Sequence, residues 1–194
     1  MLIQGWVRKG IAKIARLDTG SHALVTVHAK DAWAHEGNGY ILTQRKALNA
    51  FDTTSPMTFY IVTPAATVGC YHMTVSGCAN TAAYIEIFED DGTATHFAIT
   101  GGSAYVPLNR DRSSANTSGL TTCKTGVTIG YATADCLIST GVMGRNGGTE
   151  EFALILKPST EYLVRATSYD ENNEGSLQVN LFRHDDLDAS HGMG

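Results

Sequence analysis

Apolar residues return at every second position along much of this chain, the spacing of a β-strand with one face turned to a core. The pattern is clearest from Thr149 to Thr167, TEEFALILKPSTEYLVRAT, where Phe152, Leu154 and Leu156 make one row and Tyr162, Val164 and Ala166 another. Lys157, Pro158, Ser159 and Thr160 lie between the rows. Proline has no N–H to give a ladder, and Ser and Thr hydroxyls satisfy turn backbone, so this stretch predicts an antiparallel hairpin.

The same period marks further strands. Met57, Phe59 and Ile61 form a row ended by Pro64; Tyr71, Met73 and Val75 form one closed by Gly77; Ala83, Ile85 and Ile87 form a third that stops at Glu89-Asp90-Asp91-Gly92. Asp-Gly adopts positive φ cheaply, so a hairpin turn into Thr95–Thr100 is expected. Short strands are also expected over Ala104–Pro107, Val127–Tyr131 and Cys136–Ser139, and a last one over Ser176–His184 with Leu177, Val179 and Leu181 on one face. Upstream, His22–Lys30 reads as a short strand, Asn38-Gly39 as a turn and Gln44–Phe51 as one helical turn. At the start, Ile3, Trp6 or Val7, Ile11, Ile14 and Leu17 recur at helix-like intervals, weakened by Gly5 and Gly10. About eight to ten strands at this spacing predict an all-β fold, an antiparallel jelly-roll-like β-sandwich with an extended or partly helical N-terminal arm. The expected organisation is an arm and lead-in over 1–55, the sandwich over 56–187 and a polar tail over 188–194.

Composition agrees with many strands joined by tight turns: 20 glycines, 4 prolines and 43% hydrophobic residues in a chain of 194. No stretch approaches the roughly 18 apolar residues of a membrane span. Arg8, Lys9, Lys13 and Arg16 interrupt any signal-peptide core, so synthesis in a cytoplasm is expected. Cys70, Cys78, Cys123 and Cys136 have no CxxC spacing, which favours buried free thiols over zinc or disulfides.

Charge separates the arm from the rest. Residues 1–17 hold four basic and no acidic side chains, so the net charge of −5 divides into +4 there and −9 elsewhere. The arm is open to two readings: a solvated terminus, or a device that docks an apolar stripe and cations, with Trp6, Arg8, Lys9, Lys13 and Arg16 as contacts, on an acidic partner. An acidic body and four cations without interleaved aromatics argue against a nucleic-acid partner.

Chemistry-bearing patterns are few. Leu108–Asn116 is a polar loop whose Arg110 and Arg112 are either solvated or paired with Asp111, or make forked contacts to a partner's carboxylates. Glu89–Asp91 lacks the spaced carboxylates of a calcium loop, and His22, His28 and His35 lack metal-site spacing, so no metal or cofactor is expected. Gly101–Tyr105 lacks the last glycine of a nucleophile elbow, neither a P-loop nor H-E-x-x-H occurs, and the pairs Glu150-Glu151 and Asp185-Asp186 fall at strand or tail ends. The expectation is a protein that is not an enzyme. Trp33, Tyr40 and Tyr131 either stack on sugars in a carbohydrate- or receptor-binding module, or pack in the core or an interface.

Asn109-Arg110-Asp111-Arg112 in a polar loop, LILKPSTEYLVRATS from Leu154 to Ser168, and a closing LFRHDDL from Leu181 to Leu187 together resemble the head decoration, or cement, proteins of tailed bacteriophages that have a jelly-roll body. The resemblance covers roughly Met57 to Leu187, and its most specific part is the L-x-L-K-P-x-T-x-Y-L-x-R run at 154–165. It implies a structural virion protein on the outer capsid surface, with no catalytic residues. Its implied partners are the major capsid protein and copies of itself, a homotrimer favoured over a dimer, with neither nucleic acid nor membrane bound. Residues 1–50 lie outside the resemblance, and the basic arm is the segment expected to grip the shell or a neighbouring subunit.

Overall fold

The computed structural model describes residues 14–17, 24–27, 29–65, 70–90, 97–132, 136–144 and 152–184. Strands β1 (Ile14–Leu17) and β2 (Leu24–Val27) pair antiparallel with one another, Ile14 opposite Val27. The helical spacing that includes Ile14 and Leu17 therefore gives way to a strand at its end; residues 1–13 lie outside the described residues. Helix α1 (Ala29–His35) follows, an element that the alternation in HALVTVHAK hides. It stops where Gly37 turns left-handed at φ 73°. There the Asn38 N–H donates to the Trp33 carbonyl at 2.8 Å and the Gly37 N–H to the Ala34 carbonyl at 3.1 Å, which satisfies two end carbonyls of the helix. A Cβ at Gly37 would collide with the Ser114 hydroxyl, so the loop that packs on this corner requires glycine.

Eleven strands then build two antiparallel sheets: β3 (Gly39–Phe51), β4 (Met57–Val62), β5 (Cys70–Ala79), β6 (Ala83–Asp90), β7 (Phe97–Ala104), β8 (Leu108–Asn109), β9 (Thr122–Ala132), β10 (Leu137–Met143), β11 (Phe152–Leu156), β12 (Glu161–Ser168) and β13 (Asn173–His184). The six-stranded sheet runs β10-β6-β12-β4-β9-β7 and the five-stranded sheet β11-β5-β13-β3-β8. The pairing is nested: β3 with β13, β4 with β12, β5 with β11 and β6 with β10. Those eight strands are one long hairpin, closed from its ends inward and rolled so that successive strands alternate between sheets. That wrap is a jelly roll, with β7, β8 and β9 inserted at its tip.

The core lies where the two sheets face each other. Tyr40, Leu42, Met73, Val75, Leu177, Val179 and Leu181 from one sheet and Met57, Phe59, Ile61, Ile85, Ile87, Tyr162 and Val164 from the other form one buried cluster. These are the period-two rows, and at about 25 cal/mol per Å² of apolar surface removed from water they are the main source of stability.

Several local expectations differ from the structure; of Ala104–Pro107, expected as a strand, only Ala104 belongs to one, the end of β7. Gln44–Phe51 is no helical turn: it belongs to β3, which lies ahead of the expected sandwich start at 56 yet sits between β13 and β8 inside the sheet. Its inward Tyr40 and Leu42 fix its place, and the polar run after them hides the continuation. Lys157–Thr160 does not close a hairpin either, because β11 pairs with β5 in one sheet and β12 with β4 and β6 in the other. The four residues instead cross the roughly 10 Å between layers. Lastly, Asp91-Gly92 lies outside the described residues, but the strands that flank it are not neighbours: β12, β4 and β9 separate β6 from β7.

The outer face of the six-stranded sheet is also covered. Phe97 on β7 is opposite Ala132 on β9, eight positions beyond Lys124, the residue of β9 that faces Tyr60 on β4. Eight residues of straight strand would carry Phe97 roughly 26 Å from Tyr60. The two rings are instead 6.5 Å apart, edge to face. The hairpin therefore doubles back, and it does so at Gly101, Gly102 and Gly126, all left-handed at φ 65°, 80° and 65°. Folded over, it buries Phe97 and Val127 with Tyr60, Phe88, Cys136 and Leu163 in a second apolar cluster.

Candidate functional site

The residues that sequence patterning singles out converge in part at one corner of the five-stranded sheet. The β12–β13 turn delivers β13 antiparallel to β5, so that Phe182 stands opposite His72 on the outer face. Helix α1 lies over them. Trp33 stacks on His72 with ring centroids 5.2 Å apart at 29°, and tilts against Phe182 at 6.3 Å. The Arg110 guanidinium lies over the Phe182 ring at 5.6 Å, a cation–π contact. Trp33 and Arg110, distant in sequence, thus share one cluster.

The loop that carries Arg110 is stitched down by side-chain amides and phenols. Asn109 Nδ2 donates to the Gly37 carbonyl at 2.8 Å and to that of Asn116 at 3.1 Å, while its Oδ1 accepts from the Asp111 N–H. Tyr40 and Tyr71 donate from the core to the carbonyls of Thr117 and Ser118, at 2.6 and 2.8 Å. Asp111 does not pair with either arginine. Its Oδ1 accepts from the Ser113 hydroxyl and N–H, and these bonds hold its carboxyl below the usual aspartate range. Arg112 stays exposed and reaches only the Asn109 carbonyl, at 3.4 Å, so the two arginines do not form one clamp. Among the described residues no carboxylate pairs with Arg110.

The sugar-stacking trio does not assemble. Tyr40 is fully buried with its hydroxyl spent on backbone, and burial pushes its phenol up. Trp33 is half-buried against His72, and the Tyr131 side chain lies outside the described residues. So do Trp6, Arg8, Lys9 and Lys13; Arg16 is placed only by its backbone, opposite Val25 in β1.

A shallow cleft of about 280 Å³ opens at the other end of the same face, lined by Arg45, Cys78, Asn80, Glu174 and Ser176 among others. Register puts Arg45 and Cys78 on either side of Ser176, and the Cys78 thiol lies 3.1 Å from the Ser176 hydroxyl. Nothing in this set pairs a nucleophile with a base; its mixed charge suits a small polar group. Cys123 points inward, and burial pushes its thiol up to about 12. Glu89, part of the sequence considered for calcium, spends its carboxylate on Lys157 at 2.6 Å and the Tyr162 hydroxyl at 2.8 Å. Among the described residues, no group of three or more His, Cys, Asp or Glu is arranged to hold a metal ion, and no helix is long and apolar enough to cross a membrane.

Sequence patterning overlooks His72 and Phe182. Phe182 did carry a signal: it falls out of phase with Leu177, Val179 and Leu181, as an apolar residue must when its outer face is covered. No protein-family model matches the chain, and no curated protein gives a significant match.

Proposed function

We propose that this protein is a structural virion protein that binds the outer surface of a phage capsid and stabilises it, in the manner of the decoration proteins its sequence resembles. The nested eight-strand wrap carries this reading, since the jelly roll is an architecture of viral capsid and lectin domains. The role is adhesion, and the partners are the major capsid protein and other copies of the chain. On this reading the sandwich is a rigid block. The basic segment 1–17 and the aromatic–arginine corner supply weak apolar and charge-assisted contacts, which multiply over a symmetric shell into firm attachment. Trp6 is the proposed anchor of the arm, and Arg110 the proposed ligand for a carboxylate on the shell.

Sedimentation with purified tailed-phage shells tests it. The full chain is expected to pellet with shells and raise their melting temperature; a chain lacking residues 1–17 is expected to remain folded and stay in the supernatant. Retention of full binding by the shortened chain, or no binding by the full one, overturns the proposal.

A second reading, a glycan-binding sandwich, draws on Trp33 at the end of an outer face lined by Thr43, Ser76, Gln178 and Asn180. Part of that face is already engaged, because Gln178 donates to Asn180 and Asn180 to Thr74. Glycan binding that Trp33→Ala abolishes would favour this second reading over the first.

A further inference from the structure

We infer that β10 is the edge through which two copies of this chain join, antiparallel about a two-fold axis, into one continuous sheet. Among the described residues β10 closes the six-stranded sheet with β6 as its sole ladder partner, so one side of its backbone offers N–H and C=O groups that no described strand pairs. Soluble proteins usually guard such an edge with charge, proline or a bulge. The seven residues LISTGVM contain no charge and no proline. A bulge between Leu137 and Ser139 disturbs only the first residues, and Ser139 to Met143 keep an unbroken register.

The surface beside this edge is apolar as well. Val142, 66% exposed, stands opposite Tyr84, whose ring lies 5.0 Å from that of Tyr169, itself 58% exposed. Val142, Tyr84 and Tyr169 thus form a band that runs inward from the edge. Glu86, the first acid behind it and opposite Thr140, is already neutralised by Arg165 at 2.7 Å.

Charge identifies the occupant. The chain carries a net −5, so most ways of bringing two copies together oppose acids. β10 is neutral at every position, and antiparallel pairing centred on Gly141 would set Thr140 of each copy against Val142 of the other with no repulsion. A two-fold strand pairing requires a surface complementary to itself, and this one is. The other edges fit less well. β7 is broken by left-handed Gly101 and Gly102, β8 has two residues, and β11 is shorter, at five. The inference stands apart from the capsid reading, and its count of two departs from the homotrimer that the family resemblance favours over a dimer.

Light scattering on the eluting full-length protein tests it. The wild-type chain is expected at dimer mass at tens of micromolar, and Val142→Lys at monomer mass with a dissociation constant raised at least tenfold. Thr140→Lys is expected to do the same and serves if Val142→Lys misfolds. Ile155→Lys on β11 and Val106→Lys, which add the same charge at residues 67% and 80% exposed, are expected to remain dimeric. Far-UV circular dichroism spectra below the melting range should be alike for all four variants, which shows that the fold is kept. A monomeric or trimeric wild type, a dimer that survives both β10 substitutions, or equal dissociation by Ile155→Lys or Val106→Lys overturns the inference.

Discussion

Single hydroxyls hold the crossing between the layers. Thr63, 2% exposed, accepts at its Oγ1 from the Thr160 N–H at 3.0 Å and donates to the Lys157 carbonyl at 2.7 Å. The Thr63 N–H donates to the Thr160 carbonyl at 3.0 Å, and the Ser159 N–H to that of Pro64 at 2.9 Å. Tyr162 adds a further tie by accepting from the Lys157 N–H while donating to Glu89. Thr63→Val keeps the shape of the side chain but orphans a buried donor and an acceptor. It is expected to cost about 1–3 kcal/mol in urea unfolding, whereas Ser113→Ala, on an exposed loop, should change stability by under about 0.5 kcal/mol. None of these bonds can be foreseen from spacing alone. Proline, serine and threonine announce a reversal at 157–160, but which carbonyl each hydroxyl reaches depends on residues nearly a hundred positions away.

Among elements, the doubled-back β7–β9 hairpin depends most on backbone. Gly102 combines a left-handed φ with a site where a Cβ would lie 2.6 Å from Val127 Cγ1. Gly102→Val is therefore expected to cost at least about 2 kcal/mol and to loosen the flap, with dye binding to the uncovered Tyr60–Phe88–Leu163 surface as the second readout. Gly130→Ala, which meets only ordinary contacts at 3.7 Å and beyond, should be near neutral. Strand existence was legible where period-two rows mark β4, β5, β6, β12 and β13, and less so around β7, where the strand expected over Ala104–Pro107 holds only Ala104. Partnership was not, because alternation says that a strand has an inner face without saying which strand lies beside it. The second layer had its own trace in the letters: Tyr60, Phe88 and Leu163 are large apolar residues on the nominally outer phase. Likewise Trp33 and Arg110 could be singled out from sequence, but the Phe182 that unites them becomes visible only once β13 is placed beside β5.

For the molecule as a whole, the dominant titration lies on the alkaline side. Burial raises the phenols of Tyr40, Tyr60, Tyr71 and Tyr162 above their ordinary value near 10, and the carboxylates Glu161 and Glu89 reinforce this at Tyr60 and Tyr162. Each holds its proton more tightly folded than unfolded. Their contribution is thus fully present below about pH 10 and is lost as pH rises through the raised folded values. Unfolding free energy is expected to decline gently above about pH 8.5, where the Cys123 thiol ionises in the unfolded chain but not in the folded one, and to fall more steeply beyond about pH 10 as the phenols join it. Absorbance at 295 nm should show these four of the chain's 8 tyrosines ionising only as the fold is lost. Four phenols titrating with the native circular dichroism signal intact would contradict this.

The nested pairing also sets a timetable for synthesis. Gly39–Phe51 emerges early, yet its main partner is Asn173–His184, more than a hundred residues later, so on the order of ten seconds of translation separate the two. Throughout that interval the only described strand that can pair with it is the two-residue β8. The jelly roll can close only once Asn173–His184 is out, which makes the nascent chain a natural client for chaperones that shield unpaired strands.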